Sequence, residues 1–237
     1  YNTLSLHDAL PIYELVARAA ELGYSALAIT DVNSLAGVVR AHTAAKDCPP
    51  IKLIIGAEIR PVDAPPVVVW VKDRRGYGNL CRLITTGRRR APKGECHLTR
   101  DDIAGHAAGL LAGVVPPASE EFSADEAQCY REMFGEVCLL AEIHRGPHGQ
   151  YRRDWLRELS RKTDLPLVAA GHVLFHGPER KPLHDVLTAI RLRTTVAQAG
   201  DLLQTNAQRH LRPLESLKAL YADLPQALER TGEIAEQ

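Results

Sequence analysis

Short apolar runs alternate with amphipathic segments along most of the chain. Residues 26–30 form an apolar run typical of a strand buried on both faces of a parallel sheet, and the run ends at Asp31. Asn33 or Ser34 can cap a following helix through its side-chain oxygen. This stretch therefore predicts a strand, a turn and a helix, with Asp31 at the carboxyl end of the strand.

The helix predicted after Asp31 carries its apolar positions on one face. They have the spacing of a helix that packs one side against a core, and they are Leu35, Val38, Val39 and His42. In α/β folds, ligands and catalytic groups collect at the carboxyl ends of the strands. Asp31 is therefore the first candidate for a functional residue.

The same alternation continues downstream. Further strands are predicted at residues 51–57, 67–71, 109–115, 136–143 and 165–170, and helices at residues 13–22, 76–90, 119–134, 151–162, 178–193, 213–221 and 225–236. Glu58 closes the second strand as Asp31 closes the first. In the helix at residues 178–193, we expect Leu183, Leu187 and Ile190 to face inward. Strands that alternate with helices predict a parallel sheet, and one further strand lost before residue 13 would give a seven-stranded β/α barrel.

Residues 1–12 fit none of this periodicity. They show neither strand alternation nor a helical period, and Pro11 interrupts them just before a clear helix. Their sequence resembles translated sequencing-adapter read-through, and the alternative is a poorly ordered native terminus. We therefore divide the chain into an atypical segment at residues 1–12, a β/α domain at residues 13–195 and a C-terminal helical extension at residues 196–237.

Composition limits the classes of function. The 29 basic and 29 acidic residues cancel, which argues against an autonomous DNA-binding module. Only a local patch could contact nucleic acid or an acidic domain, and residues 88–90 with Lys93 are one candidate, with a solvated helix end as the alternative. The five scattered cysteines form no CxxC pair, and no apolar stretch is long enough to span a bilayer. We therefore expect a cytoplasmic protein with reduced thiols and no membrane partner.

Several phrases of the sequence occur together in the order of one family. The chain resembles the N-terminal polymerase-and-histidinol-phosphatase (PHP) domain of bacterial C-family DNA polymerases in the phrases ALAITD, SLAGVVRAH, IIGAE, VKDRRGYGNLCRLITTGRRR, LPLVAAGHVLFH and HLRPLESLKALYADLPQALERTGEIAE. SLAGVVRAH and RRRAPKGE most resemble the error-prone branch, and the resemblance covers residues 13–237. It implies a distorted seven-stranded β/α barrel (TIM-like) whose strand ends hold metal ions for phosphoester hydrolysis.

The resemblance supplies only part of the expected metal-ligand set. Asp31 takes the place of the acid in the family's TDH-like motif, and Glu58 that of the acid in its GAE motif. The His-x-His pair of the first strand is absent, and Val32 replaces an expected histidine. His172 and Leu174 replace the aspartate and the histidine of the Asn-Asp-Val-His motif. We therefore expect a degenerate site, with at most a residual zinc or manganese ion on Asp31, Glu58 and His172, and no catalytic residue.

Each candidate has a plain structural alternative. Asp31 and Glu58 can cap the helix or loop that follows them, and His172 can make ordinary loop hydrogen bonds. Glu142 and His144 close the fifth strand and so occupy positions typical of a site, with a structural ion pair or a solvated loop as the alternative.

Three functions remain open. The first is a structural PHP domain of an error-prone DNA polymerase used in damage-induced synthesis, which packs against a polymerase core beyond Gln237 and reaches DNA through the full-length enzyme. The second is a free-standing metal-dependent phosphoesterase of the same superfamily, which would need the missing ligands. The third is an interaction module without chemistry. The resemblance favours the first.

Overall fold

The computed structural model describes residues 12–116, 122–145 and 149–237 of the chain. In these ranges the chain is an α/β fold, and each of the six predicted strands is present. The prediction of an atypical N-terminal segment concerns residues 1–12, of which only Ile12 lies within the described residues. Across the same ranges, no helix combines the length and the apolar character needed to cross a bilayer.

Helices follow most of the strands. The strands are β1 (Ala26–Val32), β2 (Lys52–Ile59), β3 (Val67–Val71), β4 (Leu110–Val114), β5 (Val137–Glu142) and β6 (Leu167–Ala170). The helices are α1 (Ile12–Glu21), α2 (Val38–Lys46), α3 (Arg74–Arg90), α4 (Arg100–Ala104), α5 (Ala124–Phe134), α6 (Gly149–Thr163), α7 (Lys181–Arg191), α8 (Val196–Ala199), α9 (Leu214–Leu220) and α10 (Pro225–Glu236). The sequence did not predict α4 and α8, because helices this short show no clear period.

The six strands form one sheet in sequence order. β1 is parallel to β2, and β4, β5 and β6 are parallel to one another. β3 is antiparallel to both of its neighbours. The prediction of a parallel sheet is therefore wrong at β3. Residues 60–66 join β2 directly to β3, and this connection is shorter than the dozen or so residues that a parallel crossover needs.

Side-chain caps fix where two of the helices begin. The Asp73 carboxylate accepts a hydrogen bond from the Gly76 amide at 2.7 Å, so α3 starts two residues before the predicted residue 76. At α5, the Ser123 hydroxyl accepts from the Glu126 amide at 3.1 Å, and the Glu126 carboxylate accepts from the Ser123 amide at 2.9 Å. This capping box places the start of α5 at Ala124 rather than at residue 119.

Apolar side chains cover both faces of the sheet. The larger cluster, which we call the main core, lies between the sheet and its helices and includes Ala57, Leu83, Leu139, Ala141 and Leu156. A smaller cluster covers the opposite face, which we call the inner face, and consists of Val68, Trp70, Leu111, Cys138, Leu140 and Val168. Because side chains alternate along a strand, neighbouring residues such as Leu139 and Leu140 belong to different clusters.

Helix α2 begins later than predicted. It starts at Val38, and the residue before it, Gly37, has no side chain that could cap it. The Ser34 hydroxyl accepts a hydrogen bond from the Ala36 amide at 3.1 Å within the preceding turn. The Asn33 side chain accepts from the Arg60 amide at 3.0 Å. The prediction that Asn33 or Ser34 caps the helix is therefore wrong, because both side chains hold the loop in front of it.

The later start changes which face of α2 is buried. Val38 and Ala41 are buried, whereas Val39 is 74% exposed and His42 is exposed. The prediction that Val39 and His42 face inward is therefore wrong. An amphipathic pattern gives the spacing of the inward positions, but the direction from which the chain enters the helix decides which set is buried.

Val38 and Val39 form a matched pair for testing this orientation. We expect Val38→Ala to lower the free energy of unfolding by about 1 to 2 kcal/mol, because it empties a buried apolar position. Val39→Ala should change it by less than about 0.5 kcal/mol, because the side chain is already in water. Urea unfolding of the two variants measures both values. Equal losses in the two variants would contradict the orientation of α2.

Helix α7 buries its polar side and exposes apolar residues. His184, Asp185 and Thr188 are buried. Leu183, Val186 and Ile190, which we call the α7 apolar stripe, are 38%, 45% and 57% exposed. The prediction that Leu183 and Ile190 face inward is therefore wrong. The ring of His184 packs edge-on against Phe175 with centroids 5.8 Å apart, a tertiary contact that periodicity does not encode.

The C-terminal residues complete the main core. The predicted extension at residues 196–237 supplies Leu220, Tyr221, Leu224 and Ala227. The Tyr221 hydroxyl donates to the carbonyl oxygen of Ala141 at 2.5 Å and lies 3.2 Å from that of Ala170, which ties the segment to β5 and β6. Burial raises the pKa of Tyr221 to about 12. A domain boundary at residue 195 stays a prediction.

The five cysteines, all within the described residues, are free thiols. Cys138 is buried in the inner-face cluster, and burial raises the pKa of its thiol to about 12. A thiol with so high a pKa stays protonated at neutral pH and is a poor nucleophile or metal ligand. Cys138 therefore acts as an apolar packing residue.

Candidate functional site

Titratable side chains collect around a cavity at the inner face of the sheet. The cavity has a volume of about 510 Å³, and the residues around it include Glu58, Glu142, His144, Arg152 and His172. Glu58 lies at the carboxyl end of β2, and Glu142 is the last residue of β5. Parallel strands bring their carboxyl ends to one edge of a sheet, which explains why residues so far apart in sequence meet there.

Asp31 and Glu58 point to opposite faces of the sheet. Glu58 pairs with Val68, which belongs to the inner-face cluster. Asp31 pairs with Ala57, which belongs to the main core on the other face. Cross-strand partners share a face, and side chains alternate along each strand. The two side chains therefore leave the sheet on opposite faces, although both residues border the cavity.

The Asp31 carboxylate holds the start of helix α2. It is buried, and its Oδ2 accepts a hydrogen bond from the Gly37 amide at 3.2 Å. A Cβ atom at residue 37 would lie 2.8 Å from this oxygen and 2.5 Å from Cδ1 of Ile12. Glycine at this position thus permits the close approach. The contact agrees with the structural alternative for Asp31, a carboxylate that caps the helix that follows.

The Glu58 carboxylate is engaged by a neighbouring arginine. Its Oε1 accepts a hydrogen bond from Nε of Arg60 at 2.6 Å. Glu58 itself is buried, whereas the Arg60 side chain is half exposed. The ion pair stabilises the charge of Glu58 at the rim of the cavity, where an isolated buried carboxylate would be costly.

Glu142 lies at the centre of a charged cluster. Its Oε1 accepts a hydrogen bond from Nε2 of His144 at 2.7 Å and lies 2.6 Å from Nη2 of Arg209. Its Oε2 lies 3.3 Å from Nδ1 of His172. We call these four residues the Glu142 cluster. His172 has a left-handed backbone with φ of 42°, and this turn after β6 brings its ring to the carboxylate.

The cluster keeps Glu142 ionised. Burial raises the pKa of its carboxyl group, but the hydrogen bonds from His144 and His172 and the charge of Arg209 outweigh burial. The net result is a pKa well below the usual range for glutamate. Both carboxylate oxygens are therefore charged and already engaged by protein groups at neutral pH.

The sequence profile of the PHP domain family matches residues 2–160. The chain belongs to the PHP domain family. This result confirms the resemblance found in the sequence. The match covers β1 to β5, five of the six strands described above.

Several curated relatives of this PHP domain are error-prone DNA polymerases. Those of Rhodopirellula baltica and Pseudomonas aeruginosa are 45% and 46% identical, each over 94% of the chain. That of Caulobacter vibrioides is 40% identical over 100% of the chain. The chain spans only 20%, 21% and 22% of the length of these three relatives.

Two solved structures resemble the PHP domain at low sequence identity. A putative metal-dependent phosphoesterase from Bifidobacterium adolescentis has a TM-score of 0.49 and 15% identity, over 70% of this chain and 82% of that one. An amidohydrolase from Chromobacterium violaceum has a TM-score of 0.46 and 16% identity, over 68% and 80% of the two chains.

The residues at the strand ends of this PHP domain do not fit a catalytic metal centre. Among residues 12–116, 122–145 and 149–237, no group of three or more His, Cys, Asp or Glu side chains is placed to hold a metal ion. In the Glu142 cluster, the guanidinium of Arg209 places a permanent positive charge 2.6 Å from the carboxylate. A bound cation would have to displace Arg209 or lie beside it, and both arrangements are unfavourable.

The three predicted metal ligands all border the cavity, but each has different partners. Asp31 lies on the main-core face, Glu58 pairs with Arg60, and His172 joins the Glu142 cluster. Zinc or manganese binding by Asp31, Glu58 and His172 stays a prediction. Nε2 of His144 lies 2.7 Å from Oε1 of Glu142, which agrees with the structural alternative for these two residues.

Sequence reasoning missed Arg209. It lies 67 positions after Glu142, in the loop before α9 and outside every predicted helix and strand, directly before the family phrase that begins at His210. The signal that could have found the cluster was the position of Glu142 at the end of a strand, which requires a partner for a buried charge.

Proposed function

We propose that this chain is the N-terminal PHP domain of an error-prone DNA polymerase, and that its role in the enzyme is structural. The similarity to error-prone DNA polymerases over nearly the whole chain carries this proposal. The much greater length of those relatives supports a domain within a longer polypeptide. On this proposal the polymerase core follows residue 237, the enzyme contacts DNA, and the damage-induced synthesis takes place in the cytoplasm.

The second part of the proposal is that the metal site is degenerate. Glu142 lies at the end of β5, and both of its carboxylate oxygens already contact His144, His172 or Arg209. The Asp31 carboxylate accepts a hydrogen bond from the Gly37 amide at the start of α2, and the Glu58 carboxylate accepts one from Arg60. Each carboxylate thus stabilises the fold, and none is left poised to activate a water molecule.

A seventh strand would complete the barrel. β1 is an outer strand of the described sheet, and its partner on the other side would come from the chain before Ile12. An edge strand with an unpaired row of backbone groups is unfavourable in a long sheet. We propose that a strand from the N-terminal side of Ile12 takes this place.

The α7 apolar stripe is the surface through which we propose that the domain contacts the rest of the enzyme. Leu183, Val186 and Ile190 are exposed together, and Leu192, Val196 and Leu202 are exposed shortly after them. Exposed apolar patches of this kind mark interaction sites. Because the relatives are about five times longer than the chain, the polymerase core of the same polypeptide is the occupant that we propose.

Substitutions in the α7 apolar stripe test this docking. Leu183→Ser with Ile190→Ser should change the unfolding free energy of the isolated domain by less than about 1 kcal/mol, because both side chains are partly in water. In the full-length gene product, the same pair should lower the midpoint of thermal unfolding by several degrees and reduce primer extension. Val39→Ser, an exposed valine on α2, is the control. A full-length enzyme as stable as this control would contradict docking at the stripe.

The gene itself tests the function most cheaply. Sequencing the coding region past the codon for Gln237 should show a continuing polymerase sequence, and the full-length product should extend a DNA primer. A native stop codon at that point would contradict the proposal and favour a free-standing protein.

A further inference from the structure

Helix α3 and its flanks concentrate the positive charge of the chain. Residues 72–93 contain six arginines, two lysines and one acidic residue, Asp73, whereas the net charge of the whole chain is +0. The rest of the chain is therefore net negative. Such an asymmetry is typical of a surface that meets a polyanion.

Most of this positive charge is not neutralised within the protein. Arg90 forms a two-bond ion pair with Asp102, at 2.6 and 3.0 Å. Arg88 donates to the carbonyl oxygen of Asn33 at 2.9 Å, and Arg82 donates to the side-chain oxygen of Asn79 at 2.6 Å. Of these acceptors only Asp102 carries a charge, so Arg82 and Arg88 keep theirs.

The remaining arginines of α3 extend into solvent. Arg74, Arg75 and Arg89 are exposed and make no hydrogen bond or ion pair within the described ranges. Lys72 and Lys93, which flank the helix, are exposed as well. These side chains are free to contact a partner without breaking an existing interaction.

The exposed arginines form a line along the helix. Arg75, Arg82 and Arg89 are seven residues apart, close to two helical turns, so they share one face at intervals of about 10 Å. The line is about 21 Å long, which equals roughly six base-pair steps of DNA. Gly76, Leu80, Leu83 and Gly87 are buried on the opposite side and fix the orientation of the helix. We call the outward set Arg74, Arg75, Arg82 and Arg89 the α3 basic face.

We propose that the α3 basic face binds the sugar-phosphate backbone of DNA without regard to base sequence. The inference rests on the proposed function, because DNA is the polyanion that a DNA polymerase binds. Guanidinium groups match phosphate geometry through paired N–H donors. The line of arginines on a rigid helix follows a backbone, and each phosphate contact releases condensed counterions. The chain as a whole is neutral, so this binding is local to α3 and strongly salt-dependent.

The test measures binding of this chain to a fluorescein-labelled 20-base-pair duplex by anisotropy between 50 and 200 mM salt. The triple variant Arg75→Glu, Arg82→Glu, Arg89→Glu should bind at least tenfold more weakly at 50 mM salt. Its slope of log K against log salt should be smaller by about three, one unit for each lost phosphate contact. A duplex of unrelated sequence should bind the unaltered chain equally well.

A control variant separates local binding from net charge. Arg40→Glu, Lys162→Glu, Arg191→Glu makes the same change in net charge at exposed positions on other helices and should bind DNA as the unaltered chain does. Equal losses in the two triple variants, or binding unaffected by the α3 substitutions, would overturn the proposal. Competition by polyglutamate as effective as competition by unlabelled duplex would also overturn it, in favour of an acidic protein partner.

The outcomes distinguish this inference from the proposed function. If the full-length product extends primers while the α3 variant binds DNA normally, only the inference fails. If the reading frame encodes no polymerase, the proposed function fails whatever the duplex measurement shows. Thermal unfolding of each variant confirms that a loss of binding is not a loss of fold.

Discussion

Replacing Glu142 by glutamine should destabilise the domain by about 3 kcal/mol at neutral pH, the lower end of the range for breaking a buried ion pair. The lower end applies because the Glu142 side chain keeps 19% of its exposure. Glutamine has nearly the same shape, so the loss reports charge rather than a cavity. It leaves the guanidinium of Arg209 without its carboxylate and removes an acceptor for His144 and His172.

The loss of stability in Glu142→Gln should become smaller at acid pH. The pKa of Glu142 is lower in the folded protein than in the unfolded chain, so its stabilisation is complete above the unfolded value of about 4.3 and is lost as the pH falls toward the folded value. The free-energy difference between the unaltered protein and Glu142→Gln should therefore be constant near pH 7 and shrink below about pH 4.

Urea unfolding at pH 7 and pH 3 measures this difference. Glu215→Gln is the control, because Glu215 is 83% exposed and pairs with Lys218 on the surface. It should cost less than about 0.5 kcal/mol at either pH. A loss in Glu142→Gln no larger than in this control would mean that the cluster does not stabilise the fold.

Gly76→Ala should destabilise the domain by about 3 kcal/mol or more, because overpacking against backbone cannot be relieved by rotamer changes. A Cβ atom there would lie 1.9 Å from the carbonyl oxygen of Gly109 and 2.6 Å from its carbonyl carbon. Gly109 has φ of 78°, a left-handed conformation that favours glycine and brings its carbonyl against α3. The contact between Gly76 and Gly109 fixes the position of α3, the helix that carries the α3 basic face.

Gly78 is the matched control in the same helix. A Cβ atom at residue 78 would meet nothing closer than the guanidinium nitrogens of Arg82 at 3.8 Å. Gly78→Ala should therefore stabilise the domain by about 0.5 to 1 kcal/mol through the better helix propensity of alanine. Urea unfolding gives both values, and changes of the same sign in the two variants would refute the seating of α3 on Gly109.

The sequence predicted the positions of the strands better than the direction of β3 or the buried faces of the helices. Residues 26–30 and 67–71 stand out as apolar runs, and both form strands, although only Ile29 of residues 26–30 is buried. The residues of β3 do not indicate whether it runs parallel or antiparallel to its neighbours. Its direction depends on the short connection before it. The buried faces of α2 and α7 likewise depend on where each helix starts and on what lies beneath it, as with His184 against Phe175.

The candidate site was predictable in position but not in composition. Motif resemblance pointed to Asp31, Glu58 and His172 at or after strand ends, and the structure places them there. Whether side chains converge depends on the cross-strand register, which puts Asp31 and Glu58 on different faces. Arg209 reaches Glu142 from a distant loop, a long-range contact that a single sequence does not reveal.

The central claim is that the strand ends of this PHP domain stabilise the fold and do not hydrolyse phosphoesters. Its most direct test is hydrolysis of a chromogenic phosphomonoester and of a labelled single-stranded DNA by the purified chain, with manganese or zinc added and the metal content of the protein measured. The chain should show no turnover above that of the variant Asp31→Ala. Metal-dependent turnover that disappears in Asp31→Ala would contradict the claim and favour a phosphoesterase.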